Sequence, residues 1–263
     1  MNSRLWHIDQ GDGPLVAIAV HDGHDLRDEV ASLHSLNEAE RLQEEDPHTG
    51  PWTRMARTRV IARFSRFQVD LNRPRDRAVY RRPEDAWGLT LWKQEPPADL
   101  ITRSLQEYDE FYDELRRILG ELKERHRRFI VYDLHSYNHR RDGPDAPAAD
   151  PAGNPEVNIG TGTMDRQRWA SVVDRFIADL RDFDFLGRHL DVRENVKFQG
   201  GYVSRWIHDN FSDSACVLAI EFKKFFMDEW SGELDQRANE AIQRALAATV
   251  PGVLKSLGDL TTD

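Results

Sequence analysis

The segment Val131-Tyr132-Asp133-Leu134-His135-Ser136-Tyr137-Asn138-His139 is an apolar run that continues into a histidine, hydroxyl groups and an amide. A short apolar run of this kind predicts a buried β-strand. In open α/β sheets, ligands bind beyond the carboxyl ends of the strands, and a histidine at such an end can bind a metal or transfer a proton. The segment therefore predicts that His135 lies at a functional site, and a hydrolase is the first function to consider.

Three further apolar runs predict strands of the same sheet. The run from Leu15 to Val20 stops at His21, and the run from Val60 to Val69 leads into a polar loop that ends at a proline. A third run, from Ala215 to Glu221, ends in a carboxylate. Buried strands that end in polar residues favour a sheet whose functional groups gather at one edge.

Helical spacing appears between these strands. Apolar residues from Leu100 to Leu122 recur at steps of three and four, which indicates a long amphipathic helix. Further helices are predicted to begin near Asn37, to span Arg166 to Arg181, and to span Gly232 to Thr249 before Pro251-Gly252. Strands that alternate with helices predict an α/β fold with helices on both faces of the sheet, and we expect residues 1–263 to form a single domain.

Composition excludes several classes of protein. Hydrophobic residues make up 39% of the 263 residues, and no run approaches the ~20 apolar residues that a membrane span needs. The net charge of -10 disfavours nucleic-acid binding, which requires a basic surface. The segment Met1 to His7 lacks the pattern of a secretory signal, so a cytoplasmic location is expected. The single cysteine, Cys216, lies in an apolar run and is expected to be a buried structural thiol.

The polar residues near the predicted strand ends form a set that suits hydrolysis. A lone histidine at a strand end is more often structural than functional, but several such groups together favour a metal site. A hydrolytic zinc site needs about three protein ligands and one open position. No H-E-x-x-H or paired C-x-x-C motif is present, so a site would have to be assembled from distant segments. The residues in question are His21, His24, Arg66, Asn72, Arg73, His135 and Glu221.

The order of these blocks resembles the N-formylglutamate amidohydrolase family over about residues 15 to 230. This family is similar to the zinc carboxypeptidases and aspartoacylases, which implies a mixed central sheet flanked by helices in a phosphorylase/hydrolase-like arrangement. The blocks that carry the resemblance are Ala19-Val20-His21-Asp22-Gly23, Glu44-Glu45-Asp46-Pro47, Ser65 to Arg73 with Asp70-Leu71-Asn72-Arg73, Asp133-Leu134-His135-Ser136, Phe198-Gln199-Gly200-Gly201-Tyr202, and Ala219-Ile220-Glu221 with Met227-Asp228-Glu229.

The resemblance implies one zinc ion, with His21 and His135 as two of its ligands. Carboxypeptidase-like enzymes place a glutamate three residues after the first histidine, whereas this chain has His24 there. The resemblance implies that, in amidohydrolases of the formylglutamate type, an acidic residue from the next segment replaces that glutamate. Asp46 aligns best with this residue, and Glu45 and His24 are the alternatives. Glu44, Glu45 and Asp46 could instead form the charged end of the helix that begins near Asn37. Another divalent metal would also accept imidazole and carboxylate ligands.

The same resemblance assigns the remaining roles. Arg66 would polarise the scissile carbonyl, and Asn72 with Arg73 would bind the substrate carboxylate, to which a guanidinium is geometrically suited. Glu221 would act as the general base, although a salt bridge to Lys223 or Lys224 would also explain a carboxylate at that position. Tyr202, which follows two glycines, is expected to form part of the pocket wall.

The implied reaction is the hydrolysis of an N-acyl amino acid, such as N-formylglutamate, to the free amino acid and a carboxylate. The implied partner is a small molecule, and the oligomeric state is left open. Two alternatives remain: a carboxypeptidase or another N-acyl amino acid deacylase, and a non-catalytic protein that binds a carboxylated metabolite through Asn72 and Arg73.

Overall fold

The computed structural model describes residues 5–260, so most of the Met1–His7 segment considered for secretion lies outside the described residues. Seven strands and seven α-helices occur in this part of the chain. The strands are β1 (Trp6–Asp9), β2 (Leu15–Ala19), β3 (Thr58–Ala62), β4 (Phe129–Tyr137), β5 (Val157–Gly160), β6 (Val192–Glu194) and β7 (Ala215–Lys223). The helices are α1 (Asp28–Leu33), α2 (Glu38–Glu44), α3 (Thr49–Trp52), α4 (Ala98–His126), α5 (Ala170–Asp182), α6 (Tyr202–Phe211) and α7 (Gln236–Gly258).

The strands form one mixed sheet in the order β1-β3-β2-β4-β7-β5-β6. Strands β3, β2, β4 and β7 run parallel to their neighbours in the centre, while β1 pairs antiparallel with β3 and β5 pairs antiparallel with β7. The carboxyl ends of β2, β4 and β7 therefore meet at one edge. This topology confirms the predicted α/β fold with a mixed central sheet.

Helices cover both faces of the sheet, as the alternation along β4 shows. All nine residues of β4 are buried. Tyr132 and Leu134 pack into a cluster that includes residues of α5 and α7, whereas Phe129 and Val131 pack into a second cluster with residues of α4 and α6. A parallel strand that is buried on both faces is almost continuously apolar. The polar residues near the end of β4 are therefore exceptions that need hydrogen-bonding partners or a function.

Two predicted elements are shorter than expected. The strand predicted from Val60 to Val69 ends at Ala62, because the residues that follow fold into turns, with the Gln68 amide donating to the Ser65 carbonyl at 2.9 Å. The helix predicted from Arg166 begins at Ala170 instead, because the segment before it forms a turn around the Asp165 side chain.

The last helix is longer than predicted. Helix α7 begins after Asp235, whose side chain accepts from the Ala238 amide, and continues through Pro251 to Gly258. An interior proline costs about 3 kcal/mol, but Val253 and Leu257 beyond it are buried in the core. The burial of these side chains offsets the local penalty, so the prediction that the helix closes before Pro251 is wrong.

Among residues 5–260, no helix has both the length and the apolar character required to cross a membrane. Cys216 is buried within β7, and burial raises the pKa of its thiol. A protonated thiol in an apolar core is chemically inert, as expected for a structural cysteine.

A buried histidine connects α6 to the sheet. Nε2 of His208 accepts from the Val217 amide at 3.2 Å, and Nδ1 lies 3.0 Å from the Thr163 hydroxyl oxygen. The neutral ring, with its proton on Nδ1, satisfies both contacts. Burial lowers the pKa of His208 from 6.5 to about 4.

We predict an acid-dependent loss of stability from this histidine. Because the unfolded state binds the proton more tightly, the stabilisation is complete above about pH 6.5 and is lost as the pH falls towards 4, by roughly 3 kcal/mol for this one group. Urea unfolding between pH 4.5 and 7.5 should show a smaller pH slope for His208→Gln than for the wild type. His189→Gln, at an exposed position, controls for the loss of an imidazole; equal slopes in the wild type and His208→Gln would contradict the prediction.

Candidate active site

The carboxyl ends of the central strands bring the predicted residues together. His135 on β4 is directly opposite Glu221 on β7, and His21 lies two residues after the end of β2. A cavity of about 390 Å³ opens at this edge of the sheet. Among the residues that line it are His21, Asp46, Arg66, Asn72, His135 and Glu221.

A buried group of one carboxylate and two imidazoles lies in this cavity. Oδ2 of Asp46 is 2.9 Å from Nδ1 of His135 and 3.3 Å from Nδ1 of His21. The three potential ligand atoms lie within 4.8 Å of one another. Ligands of a tetrahedral zinc site, bound at 2.0–2.1 Å, are about 3.3 Å apart. The donor types and their spacing therefore suit one metal ion of the zinc type.

The outer nitrogen of each histidine contacts a further buried carboxylate. Nε2 of His21 is 2.7 Å from Asp70, and Nε2 of His135 is 3.0 Å from Asp133. Such partners hold a metal-binding histidine in the tautomer whose other nitrogen is free to ligate. The sequence analysis assigned no role to Asp70 or Asp133, although period-two alternation along β4 places Asp133 on the same face as His135.

Asp46 stays ionised in this setting. Burial alone would raise the pKa of Asp46, but hydrogen bonds from His135 and His21 hold it well below its ordinary value. Burial would likewise lower the pKa of His135, but the charges of Asp133 and Glu221 raise it well above the ordinary value. A metal bound at Nδ1 of His135 would compete with a proton for that nitrogen.

The pKa of Glu221 is raised, whereas that of Asp46 is lowered. Burial, together with repulsion from Asp46 and Asp133, raises the pKa of Glu221 to about 8, although His135 and Arg66 oppose the shift. No ion pair joins Glu221 to Lys223 or Lys224 among the described residues, so the salt bridge considered from the sequence is not formed. A carboxyl group that exchanges its proton near neutral pH is suited to general acid–base catalysis.

Arg66 lines the cavity within a network that reaches the histidines. Its Nη2 donates to Oδ2 of Asp70 at 2.8 Å, and its Nε donates to the Tyr80 hydroxyl at 3.2 Å. Its guanidinium carbon lies 4.9 Å from the centre of the Trp87 ring. Arg66 is thus a fixed cation beside the carboxylate that orients His21.

The three residues predicted to contact substrate do not lie together. Asn72 lines the cavity, and its Oδ1 accepts from the Val203 amide at 2.9 Å. A side chain at Gly201 would come within 2.3 Å of the Asn72 amide, so this contact requires glycine. Arg73 and Tyr202 are not among the cavity-lining residues.

The side chains of Arg73 and Tyr202 are committed to other contacts. Arg73 donates to the backbone carbonyl of Asp85 at 3.1 Å, and Tyr202 packs edge-on against the Tyr112 ring. Among the described residues, neither side chain lines the cavity, and the substrate contacts expected of both stay predictions. Nε of Arg73 also lies 3.8 Å from Oδ2 of Asp70, and Tyr202 packs against the apolar cluster that includes residues of α6.

The geometry also distinguishes the alternatives for the third ligand. Nδ1 of His24 contacts Oε2 of Glu45, and Oε1 of Glu45 accepts from the Ser65 hydroxyl. Both alternatives are thus engaged with each other, whereas Asp46 faces both histidines. Helix α2 ends at Glu44, one residue before Glu45, so the chain has already left the helix when it reaches Asp46.

A buried lysine holds the segment that carries Asp46. Nζ of Lys224 donates to the backbone carbonyls of Gln43 at 2.6 Å and Glu45 at 2.8 Å. Asp46 is held from the other side, because its amide donates to the His21 carbonyl at 2.9 Å. The sequence analysis considered Lys224 only as a partner for Glu221 and missed this contact.

Comparisons with known proteins identify the family. The N-formylglutamate amidohydrolase family profile matches residues 13–227, which is more than half of the chain. The chain belongs to the N-formylglutamate amidohydrolase family. Among curated proteins, the sequence has no match. The resemblance noted from the ordered sequence blocks is therefore confirmed, and the family supports an amidohydrolase.

Solved structures confirm the fold of this family member. N-formylglutamate amidohydrolase from Ralstonia eutropha JMP134 aligns with a TM-score of 0.74 and 16% identity over 98% of both chains. A gene product of Agrobacterium tumefaciens aligns with a TM-score of 0.66 and 18% identity, over 97% of this chain and 96% of that chain. A metallo-carboxypeptidase from Burkholderia cenocepacia reaches a TM-score of 0.37 at 13% identity, over 92% of this chain and 57% of that chain.

We predict that Asp46, rather than Glu45, is the third metal ligand. Asp46→Asn should abolish stoichiometric binding of zinc, since it removes the negative charge between the two histidines, whereas Glu45→Gln should retain one ion per chain. Metal content after equilibration with zinc checks this, with circular dichroism to verify folding. Retention of one ion by Asp46→Asn, together with its loss in Glu45→Gln, would reverse the assignment.

We also predict that Asp70 supports metal binding through His21. Asp70→Asn should weaken zinc affinity by about 10- to 100-fold, as is usual when the partner of a metal-binding histidine is lost. Competition with a chromogenic chelator measures this affinity. Asp109→Asn, which removes an exposed carboxylate paired with Arg75, is the matched control and should bind zinc as the wild type does.

Proposed function

We propose that this protein is a zinc-dependent amidohydrolase that cleaves an N-acyl amino acid, with N-formylglutamate as its first candidate substrate. The observation that carries the proposal is the His21–Asp46–His135 group, which lies in one cavity with Glu221. Membership of the N-formylglutamate amidohydrolase family supports the reaction class.

His21, Asp46 and His135 would hold the metal through Nδ1, a carboxylate oxygen and Nδ1. A zinc ion bound there polarises the acyl carbonyl and makes water more acidic. Asp70 and Asp133 hold the two imidazoles in the required tautomer. The protein contributes a rigid, buried set of donors, which fixes the geometry before substrate arrives.

Glu221 would transfer the proton in this reaction. As a carboxylate, it accepts a proton from the attacking water while that oxygen forms its bond to the acyl carbon. The protonated group then gives this proton to the amine nitrogen as the C–N bond breaks. The second proton of the water passes from the new carboxyl group to the amine, so the products are a carboxylate and an amino acid with a protonated amino group. Burial raises the pKa of Glu221 to about 8 in the protein without metal, and a cation beside it would lower this pKa and favour the carboxylate that accepts the proton.

Arg66 and Asn72 would act on the substrate itself. The guanidinium of Arg66 places positive charge near the acyl oxygen, where negative charge grows in the tetrahedral transition state. Asn72, whose Nδ2 lies 3.4 Å from Nε2 of His135, presents an amide at the margin of the same site. Both side chains are held by other contacts, so their positions do not depend on substrate.

The test is amine release from N-formyl-L-glutamate by zinc-loaded protein. Glu221→Gln should reduce kcat by about 100-fold or more, since general acid–base catalysis contributes roughly 10²–10⁴-fold, while retaining the metal. Glu194→Gln alters a carboxylate that pairs with Arg166 and should keep wild-type activity. Substantial turnover by Glu221→Gln would contradict the assigned role.

A panel of substrates tests the reaction class in the same assay. N-formyl, N-acetyl and larger N-acyl derivatives of several amino acids rank the acyl group, and peptides with a free carboxyl terminus test carboxypeptidase activity. Turnover of peptides alone would favour the carboxypeptidase alternative. No turnover of any member by protein that binds one zinc ion would overturn the proposed substrate class.

A further inference from the structure

Four cationic side chains line the cavity among the described residues, and two of them are neutralised by carboxylates. They are Arg66, Arg141, Lys197 and Lys224. Arg66 pairs with Asp70, and the two terminal nitrogens of Arg141 donate to the two carboxylate oxygens of Glu44 at 2.9 and 3.0 Å. Both guanidinium groups are thus paired with carboxylates of the protein itself.

The two lysines differ in what their ammonium groups contact. Lys224 is buried and donates to two backbone carbonyls, so it serves the protein's own structure. Lys197 is exposed, and no carboxylate of the described residues lies within ion-pair distance of it. Its Nζ donates to the side-chain oxygen of Asn154 at 2.5 Å. Lys197 therefore brings a positive charge to the cavity without a protein counter-ion.

A hydrogen bond to strand β5 fixes the position of the Lys197 backbone. Asn158 on β5 is directly opposite Glu221 on β7 and is fully buried. Its Oδ1 accepts from the Lys197 amide at 2.8 Å, and its Nδ2 donates to the Phe198 carbonyl at 2.8 Å. The sheet thus holds the backbone of Lys197 on the side of the cavity where Glu221 lies.

Aromatic rings direct the side chain of Lys197. Its Nζ lies 5.1 Å from the centre of the Tyr137 ring and 5.7 Å from that of Phe198. Cation–π contacts of this kind contribute about 0.5–1 kcal/mol at exposed positions. They restrain the ammonium group while leaving it able to accept an anionic partner.

Two buried side chains on the cavity wall carry unpaired polar atoms. The side chains of Ser136 and Asn138 are buried, and within residues 5–260 Oγ of Ser136 and Oδ1 of Asn138 have no hydrogen-bond partner. Nδ2 of Asn138 donates to the Gln43 carbonyl at 2.8 Å, which leaves Oδ1 as an acceptor. Buried polar atoms without partners are rare in native proteins and call for an explanation.

We propose that Lys197 binds a carboxylate of the substrate and so takes the role that the sequence analysis gave to Arg73. This inference rests on the proposed function and narrows its substrate class to N-acyl amino acids whose carboxylate reaches Lys197. The carboxylate can be the α-carboxylate or that of an acidic side chain, since both offer the same chemistry to an ammonium group.

The test compares Lys197→Met, Lys197→Arg and Lys223→Met. Met preserves the apolar stem over the two rings, and Arg preserves the charge. Lys223 is the matched control, because its Nζ donates to the backbone carbonyl of Asn154 at 3.1 Å but it does not line the cavity. Steady-state kinetics are measured on N-formyl derivatives of L-glutamate, L-glutamine and L-isoglutamine.

Lys197→Met should lower kcat/KM for N-formyl-L-glutamate by about tenfold or more, mainly through KM. Lys197→Arg should recover most of this loss, and Lys223→Met should match the wild type. A loss shared with the glutamine derivative assigns the α-carboxylate, and a loss shared with the isoglutamine derivative assigns the side-chain carboxylate. A change below threefold on all three substrates, or an equal loss on all three, overturns the proposal.

Measurements of carboxylate binding test the role of Lys197 independently of the proposed hydrolysis. Isothermal titration of L-glutamate and glutarate into zinc-loaded protein should show about tenfold weaker binding to Lys197→Met than to the wild type. If the wild type hydrolyses no N-acyl amino acid but shows this difference, the reaction is wrong and the carboxylate site stands. Equal affinities of the wild type and Lys197→Met for both ligands would overturn the carboxylate site.

Discussion

The central constraint on this structure is an excess of negative charge buried at one edge of the sheet. Asp46, Asp70, Asp133 and Glu221 gather around two imidazoles, with the Arg66 guanidinium as the nearest cation paired to them. Isolated carboxylates are costly to bury. A divalent cation between His21, Asp46 and His135 would compensate part of this charge, and without it burial raises the pKa of Glu221 to about 8.

The side chains of this site come from the ends of strands and from loops that hydrogen bonds hold in place. His135 and Glu221 are adjacent because β4 and β7 are parallel and in register. Asp46 comes from a loop, which lacks the rigidity of a strand, and backbone hydrogen bonds to His21 and Lys224 supply that rigidity. The segment that carries Asp46 is therefore held from two sides, and burial lowers the pKa of Lys224 to about 8.

Sequence reasoning was strongest where local pattern and tertiary structure agree. Apolar runs that end in polar residues located His21, His135 and Glu221, since parallel strands align their carboxyl ends. It failed where distant segments meet: the contact of Asp70 with His21 spans 49 positions, and no periodicity signals it. It also failed where tertiary packing overrides a local signal, as at Pro251, which normally ends a helix but here continues one.

The excess of negative charge that favours a metal also determines how an anionic substrate can enter. A carboxylate approaching Asp46 and Glu221 is repelled unless a cation offsets their charge, and this repulsion is strong where the dielectric constant is low. Arg66 and Arg141 are compensated by Asp70 and Glu44, and Arg73 lies outside the cavity lining. Lys197 is the cavity cation that remains exposed without a carboxylate partner among the described residues, and its place beside Glu221 would bring the substrate to the group that transfers the proton.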